Sequence, residues 1–288
     1  MNSTLTGKVV VITGGARGIG AATAARVVRD GARVVIGDLD LDVARATAER
    51  IGGGTVAARL DVTDKGSVVA LLDRAEQELG PVDVFVNNAG IMPLAPMLDE
   101  DDAMTARMID LNLRAVIVAA REAARRMVER GRGGHIVNVA STAGKAGLVG
   151  GSTYCATKAG VIAFSEAIEQ ELADHGIHVS TVMPGIVRTE LATGVADLPG
   201  LKAISPEQVA DGIAEALAKP RLEVFVPRSA GPLLTLPRLL PRRAALWLSR
   251  RLGADTVLVS ALQDPDRKSY EDRAAREDTK AEEAARPR

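Results

Sequence analysis

Short runs of β-branched and aliphatic residues alternate with helix-periodic stretches along most of this chain. Lys8–Ile12 is an unbroken run of the kind a strand buried on both faces requires, and glycines and a helical stretch, Gly18–Arg29, follow it. The pattern repeats: Arg33–Ile36 then a helix over Leu41–Ile51, and Thr55–Leu60 then a helix carrying Val68, Leu72, Ala75 and Leu79 on one face. Asp64 is placed to cap that helix and Gly80-Pro81 to stop it. Val82–Val86, His135–Ala140, Ile177–Met183 and Leu222–Val226 read as further strands, with helices over Ala103–Arg130, Tyr154–Asp174 and Pro206–Ala218. Successive βα units leave few solutions. The expectation is an α/β, Rossmann-type, doubly wound parallel sheet of about seven strands, a single domain with right-handed crossovers.

Composition narrows the function classes. With 36 Lys+Arg against 37 Asp+Glu, the net charge is −1, which lacks the basic surplus needed to neutralise nucleic-acid phosphates. Aromatic residues are only 2% of the chain, so the core must be aliphatic and base-stacking platforms are scarce. One cysteine, Cys155, permits no internal disulfide, and His135, His175 and His178 are not at metal-ligand spacing, so no metal site is expected. No apolar run reaches the length of a membrane span, and the N-terminus lacks a secretion signal, so a cytoplasmic protein is expected.

The first strand runs into Thr13-Gly14-Gly15-Ala16-Arg17-Gly18-Ile19-Gly20. Backbone N–H groups at a helix N-terminus can hold a dinucleotide's pyrophosphate, provided no Cβ blocks its approach. Gly14 can make the tight turn, while Gly18 and Gly20 let phosphate, helix and strand come close. A tight βα connection is the bland alternative for such a loop taken alone. Asp38 ends the second strand, 18 residues after Gly20, where a carboxylate can accept from ribose hydroxyls and repel a 2′-phosphate. Arg17 pulls the other way, but only Leu39 and Asp40 follow Asp38, so NAD is expected over NADP.

At this point the sequence resembles the short-chain dehydrogenase/reductase family. The T-G-x-x-x-G-x-G loop has the family spacing, Asp61-Val62 resembles its adenine-contacting pair, and Asn87-Asn88-Ala89-Gly90 matches its N-N-A-G. Asn112 stands where the family has a helical catalytic Asn. Ser141 precedes Tyr154-Cys155-Ala156-Thr157-Lys158, the Y-x-x-x-K motif, by 13 residues. Pro184-Gly185-Ile186-Val187-Arg188-Thr189 resembles the P-G-x-x-x-T segment that holds nicotinamide. The resemblance covers residues 5–226. It implies hydride transfer between a nicotinamide cofactor and an alcohol or ketone, with Asn112, Ser141, Tyr154 and Lys158 catalytic. It also implies a cofactor held by Gly14, Arg17, Gly18, Ile19, Gly20, Asp38, Asp61, Val62, Asn88, Ala89, Gly90, Tyr154, Lys158, Pro184, Gly185, Val187 and Thr189. In the family, Lys158 would hold the nicotinamide ribose and Asn112 a relay water.

The residues themselves support that chemistry. Tyr154 and Lys158, four apart on a helix, share a face. A free phenol is a poor base at neutral pH, and a nearby ammonium or oxidised nicotinamide favours phenolate. Ser141 can stabilise charge on the substrate oxygen as hydride moves. A catalytically silent nucleotide-binding or membrane-associated scaffold is the competing reading, and the complete set of four residues argues against it. Landmarks at the ends of six strands converge on one sheet edge, where open α/β sheets bind ligands.

The segment Ile186–Ile204 occupies the position of the family's substrate lid, and Leu191, Leu198 and Leu201 suggest an apolar pocket wall; an ordinary surface loop fits equally. An apolar secondary alcohol is therefore the expected substrate. The family's dimer helices would be Ala103–Arg130 and Tyr154–Asp174, so a homodimer is expected, whereas the altered C-terminus puts a tetramer in doubt. Residues 227–263 form a basic extension: Arg228–Leu252 holds six arginines, no acids and the single tryptophan, Trp247. From Pro241 a helix would stripe Ala244, Ala245, Leu248 and Leu252 opposite most of those arginines. Contact with an anionic membrane surface through 228–252, a cap on the substrate pocket, and packing against a partner subunit all fit. Residues 264–288, with 8 acids and 7 bases, read as a solvated helix or a disordered tail.

Overall fold

In strand β1 (Val9–Thr13) Val10 and Ile12 enter one apolar core and Val9 and Val11 the other, as the two-residue period of a strand requires. The computed structural model describes residues 5–196, 202–235, 241, 243–244, 251, 257–262 and 264–274. Strands β2 (Arg33–Asp38), β3 (Val56–Arg59), β4 (Val84–Asn87), β5 (Gly134–Val139), β6 (Ile177–Pro184) and β7 (Glu223–Val226) join β1 in one sheet. Every pairing is parallel and the order is β3-β2-β1-β4-β5-β6-β7. Helices α1 (Gly18–Arg29), α2 (Leu41–Ile51) and α7 (Pro206–Ala218) bury their apolar stripes on one face of the sheet. Helices α3 (Lys65–Leu79), α5 (Ala115–Arg130) and α6 (Ser152–Leu172) cover the other. This is the doubly wound, seven-stranded architecture expected.

The core is aliphatic, and Phe85 on β4 is its one fully buried aromatic among the described residues. Each fully buried Val, Leu or Ile contributes roughly 1.5–3 kcal/mol, and such residues fill both faces. Asp64 caps α3 as expected, accepting from Gly66 N at 2.8 Å and Ser67 N at 3.3 Å.

The expected helix over Ala103–Arg130 is not continuous. It divides into α4 (Asp102–Ile109), a π turn over Asp110–Arg114, and α5. The extra residue per turn rotates the face presented after Ile109, and Asn112 on that turn is fully buried.

Past β7 the chain forms α8 (Ala230–Thr235), α9 (Val259–Leu262) and α10, residues 265–274. Most of the expected amphipathic helix from Pro241, including Trp247, lies outside the described residues, as do Leu198, Leu201 and 275–288. No helix among the described residues is long and apolar enough to cross a membrane.

Candidate active site

The carboxyl ends of the strands open onto one cleft of about 1350 Å³. At the reversal of strand order, between β1 and β4, two loops are stitched together. Thr13 Oγ1 accepts from Asn88 N at 2.9 Å and Ala89 N at 3.1 Å, while Asn88 Nδ2 donates to Thr13 O at 3.0 Å and Gly14 O at 2.9 Å. A Cβ on Gly14, whose φ is +63°, would stand 2.9 Å from Ala89 Cα. Only glycine lets these loops approach so closely.

The first turn of α1 has no side-chain cap, so its N–H groups at Gly18 and beyond are available to an anion. Gly14, Arg17, Gly18 and Ile19 line the cleft; Gly20 does not, because it lies beneath the loop. A Cβ on Gly20 would meet Gly14 O at 2.1 Å, so this glycine serves the close packing of helix on loop. Asp38 Oδ2 accepts from Ala16 N at 3.0 Å and its Oδ1 from Asp40 N at 3.2 Å. Burial nonetheless raises the Asp38 carboxyl above its ordinary pKa, against the lowering by those hydrogen bonds and by Arg17. Arg17 Nη2 is held by Asp40 Oδ2 at 3.1 Å. Asp61 accepts at Oδ1 from Thr63 N at 2.9 Å and Thr63 Oγ1 at 2.6 Å, and Val62 lines the cleft beside it. A glycine cradle, an uncapped helix start and an acid at the end of β2 fit a dinucleotide cofactor.

On the other side of β4, Asn88, Ala89 and Gly90 line the cleft, with Pro184 at the end of β6 and Gly185, Val187 and Thr189 after it. Gly185 N donates to Val226 O at 2.8 Å, which anchors this segment to β7. A Cβ on Gly18 would lie 3.2 Å from Thr189 Cγ2, so the two segments are nearly in contact.

Ser141 lies two residues past β5 and caps the turn that follows, its Oγ accepting from Ala143 N at 3.1 Å. Tyr154 and Lys158 lie one turn apart on α6, 6% and 4% exposed, and both line the cleft with Ser141. Lys158 Nζ donates to Val139 O at 3.0 Å and stands 5.8 Å from the centre of the Tyr154 ring. Burial lowers the Lys158 pKa to about 8. Burial also pushes the Tyr154 phenol well above its ordinary value, Tyr270 and Cys155 add to that, and a hydrogen bond from Ser141 opposes it. Lys158 thus stands beside the phenol without touching its oxygen, and burial holds Tyr154 in the neutral form. The bond to Val139 O uses one of the ammonium's three donors.

Asn112 lies behind the cleft wall rather than on it. Its Oδ1 accepts from Ile91 N at 2.9 Å and its Nδ2 donates to Ile91 O at 2.8 Å, so it fixes the loop after β4. Gly90 sits between, where a Cβ would be 3.2 Å from Asn112 Oδ1 and 3.5 Å from Lys158 Nζ. Cys155 is buried and packs, as read from the sequence.

The cleft has a further wall at the C-terminal end of the described chain. Within 264–288, read as a solvated helix or a disordered tail, residues 265–274 form a helix, but not a fully solvated one: Tyr270, Arg273 and Ala274 line the cleft and Arg267 is 1% exposed. Nothing in their composition signals burial.

Comparison with known proteins completes the description. The sequence profile of the short chain dehydrogenase family matches residues 8–198. Sorbitol dehydrogenase of Cereibacter sphaeroides is 42% identical over 191 residues, 66% of this chain and 75% of that protein. Cis-4-hydroxycyclohexanecarboxylate dehydrogenase of Sinomonas cyclohexanicum is 42% identical over 220 residues, 72% of this chain and 88% of that protein. Among solved structures, 3-ketoacyl-(acyl-carrier-protein) reductase from Brucella melitensis, complexed with NADH, superposes with a TM-score of 0.73. It is 30% identical, covering 77% of this chain and 98% of that one.

Proposed function

Because the chain belongs to the short chain dehydrogenase family, we propose that it moves a hydride between NAD(H) and an apolar secondary alcohol or ketone. The observation that carries this reading is the convergence of Ser141, Tyr154 and Lys158 with the glycine loop on one cleft. In oxidation the carbinol O–H and C–H bonds both break. Tyr154, as phenolate, takes the hydroxyl proton; the C–H electron pair leaves with its hydrogen as hydride. Ser141 holds the substrate oxygen as its charge grows. A bound nicotinamide supplies the hydride acceptor and, when oxidised, a positive charge favouring the phenolate. Lys158 is placed to hold the ribose and to pass protons, with a pKa near the working range. Asn112 acts through Ile91 by fixing the loop beside Lys158, which is where a relay water would be anchored.

NAD is favoured over NADP because Asp38 keeps its carboxylate at the end of β2, while Arg17, the rival for a 2′-phosphate, is paired with Asp40. Apolar substrates are favoured because Ile91, Met92, Leu148, Ile186, Leu191 and Val195 form the wall beyond Tyr154. A ring alcohol of the kind named for the Sinomonas relative suits that wall better than a polyol. Pairing of two copies through the α5 and α6 faces is part of the same proposal.

Tyr154→Phe tests it. Turnover of secondary alcohols, followed as reduced-nicotinamide absorbance, falls by roughly 10²–10⁴-fold, with NADH affinity retained. Near-normal turnover in that variant refutes the assignment.

A further inference from the structure

Beyond the segment matched by the family profile, the chain folds back over its own reaction site. Val257, Leu258 and Ala261 are buried in the same apolar cluster as Tyr154, Met92 and Leu94. Their seat is made of glycine. A Cβ on Gly151 would lie 2.7 Å from Leu258 Cδ1, on Gly150 3.0 Å from Leu262 Cδ1, and on Gly194 3.0 Å from Ala261 Cα. Ala196 N donates to Val257 O at 3.2 Å, and Ser260 Oγ to Gly194 O at 3.0 Å. The segment after β6 is thus tied to the C-terminal segment by main chain as well as by apolar packing.

Arg267 on α10 fastens three pieces together. Its Nη1 donates to Leu191 O at 3.1 Å and Thr193 O at 3.0 Å, its Nη2 to Met92 O, and its Nε to Glu271 Oε1 at 3.0 Å. A buried guanidinium is costly unless its donors are met, and here carbonyls from two separate loops meet them. Three residues on, Tyr270 stacks its ring 5.4 Å from that guanidinium and accepts at Oη from Met92 N at 2.8 Å. The ring is held at both ends and lines the cleft.

We propose that α10 is the specificity wall of the substrate pocket: Tyr270 is a specificity-determining residue that limits the reach of the substrate away from Tyr154, and Arg267 is the positioning residue that holds it. The substrates are then compact secondary alcohols and ketones rather than long-chain ones. This rests on the alcohol–ketone reading above. Tyr270 is near enough to Tyr154 to add to the raising of its pKa, which agrees with a wall beside the reacting phenol.

The test uses the full chain and its Tyr270→Ala, Tyr270→Phe and Arg267→Met variants. Each is assayed with NAD on unbranched secondary alcohols from 2-butanol to 2-decanol. In Tyr270→Ala the 2-decanol to 2-butanol ratio of kcat/KM rises about tenfold or more, mostly through KM, because opened apolar space discriminates at that scale. Tyr270→Phe, which keeps the ring, keeps the wild-type ratio. Hydrogen exchange on the same proteins reads the latch: Arg267→Met speeds exchange at residues 91–95 and 190–196 about tenfold and leaves 9–20 unchanged. An unchanged ratio in Tyr270→Ala overturns the specificity role, and unchanged exchange in Arg267→Met overturns the latch. NADH binding without turnover of any alcohol or ketone by the wild type would refute the alcohol–ketone reading instead, and the exchange result then decides whether α10 is a cap.

Discussion

Mild acid is expected to weaken this fold through one residue, His135. Its ring is buried on β5, with Nε2 2.9 Å from Ser180 Oγ. Ser180 Oγ already donates to Arg221 O at 2.7 Å, so the serine oxygen accepts from Nε2–H and the ring is the neutral Nε2-protonated tautomer. Burial, and then the ring of His178 with its centre 5.8 Å away, lower the His135 pKa from 6.5 to about 4. Between those values the unfolded chain binds more protons than the folded one, so stability is full above pH 6.5 and is lost as pH falls towards 4. Each unit in that window is worth ~1.4 kcal/mol, which makes the loss ~2 kcal/mol at pH 5 and ~3 kcal/mol once pH passes the folded value. Urea unfolding followed by circular dichroism, at fixed protein concentration, measures it. His135→Gln keeps an N–H for Ser180 and removes the titration. The stability difference between wild type and variant should shrink by ~2 kcal/mol from pH 7 to pH 5. A difference that stays constant across that range refutes the reasoning.

Two further outcomes test the cofactor half of the cleft. Gly20→Ala forces its new methyl against Gly14 O, 2.1 Å away, and should destabilise the protein by ~1–3 kcal/mol while weakening NADH binding in a fluorescence titration. Asp38→Ala removes the charge at the end of β2, and the NAD to NADP ratio of kcat/KM should fall by about 10–100-fold; an unmoved ratio assigns cofactor choice elsewhere.

The strands were legible because burial on both faces needs unbroken apolar runs, and β1, β2 and β4 have them in Val9–Ile12, Val34–Ile36 and Val84–Val86. Their ends moved by a residue or two where polar groups join the ladder. β1 extends to Thr13 and β4 to Asn87, whose side chains find partners inside the sheet edge. The start of β4 is delayed to Val84 because Asp83 turns its carboxylate to Val9 N at 2.9 Å. The Y-x-x-x-K pair, Ser141 and the glycine loop were legible because fixed local spacing on a helix or after a strand sets their geometry. Asn112 was found, but the π turn that buries it was not, since one extra residue in a turn leaves hydrophobic periodicity nearly unchanged. A helix was one of two readings for the C-terminal segment, but its burial was not legible, for a different reason. Arg267 is satisfied by carbonyls of residues 191 and 193, more than seventy positions away, and composition carries no record of such distant acceptors.

Asn88 has a mechanical consequence. One side-chain amide grips the carbonyls of both Thr13 and Gly14, so the floor after β4 and the loop before α1 move as one body or not at all. The dinucleotide end of the cleft is thereby a socket formed in advance, with little to gain by opening. The opposite rim is joined differently, by the Arg267 guanidinium and by contacts between distant segments. At the dinucleotide end, a shift in either loop would therefore be felt directly in the other.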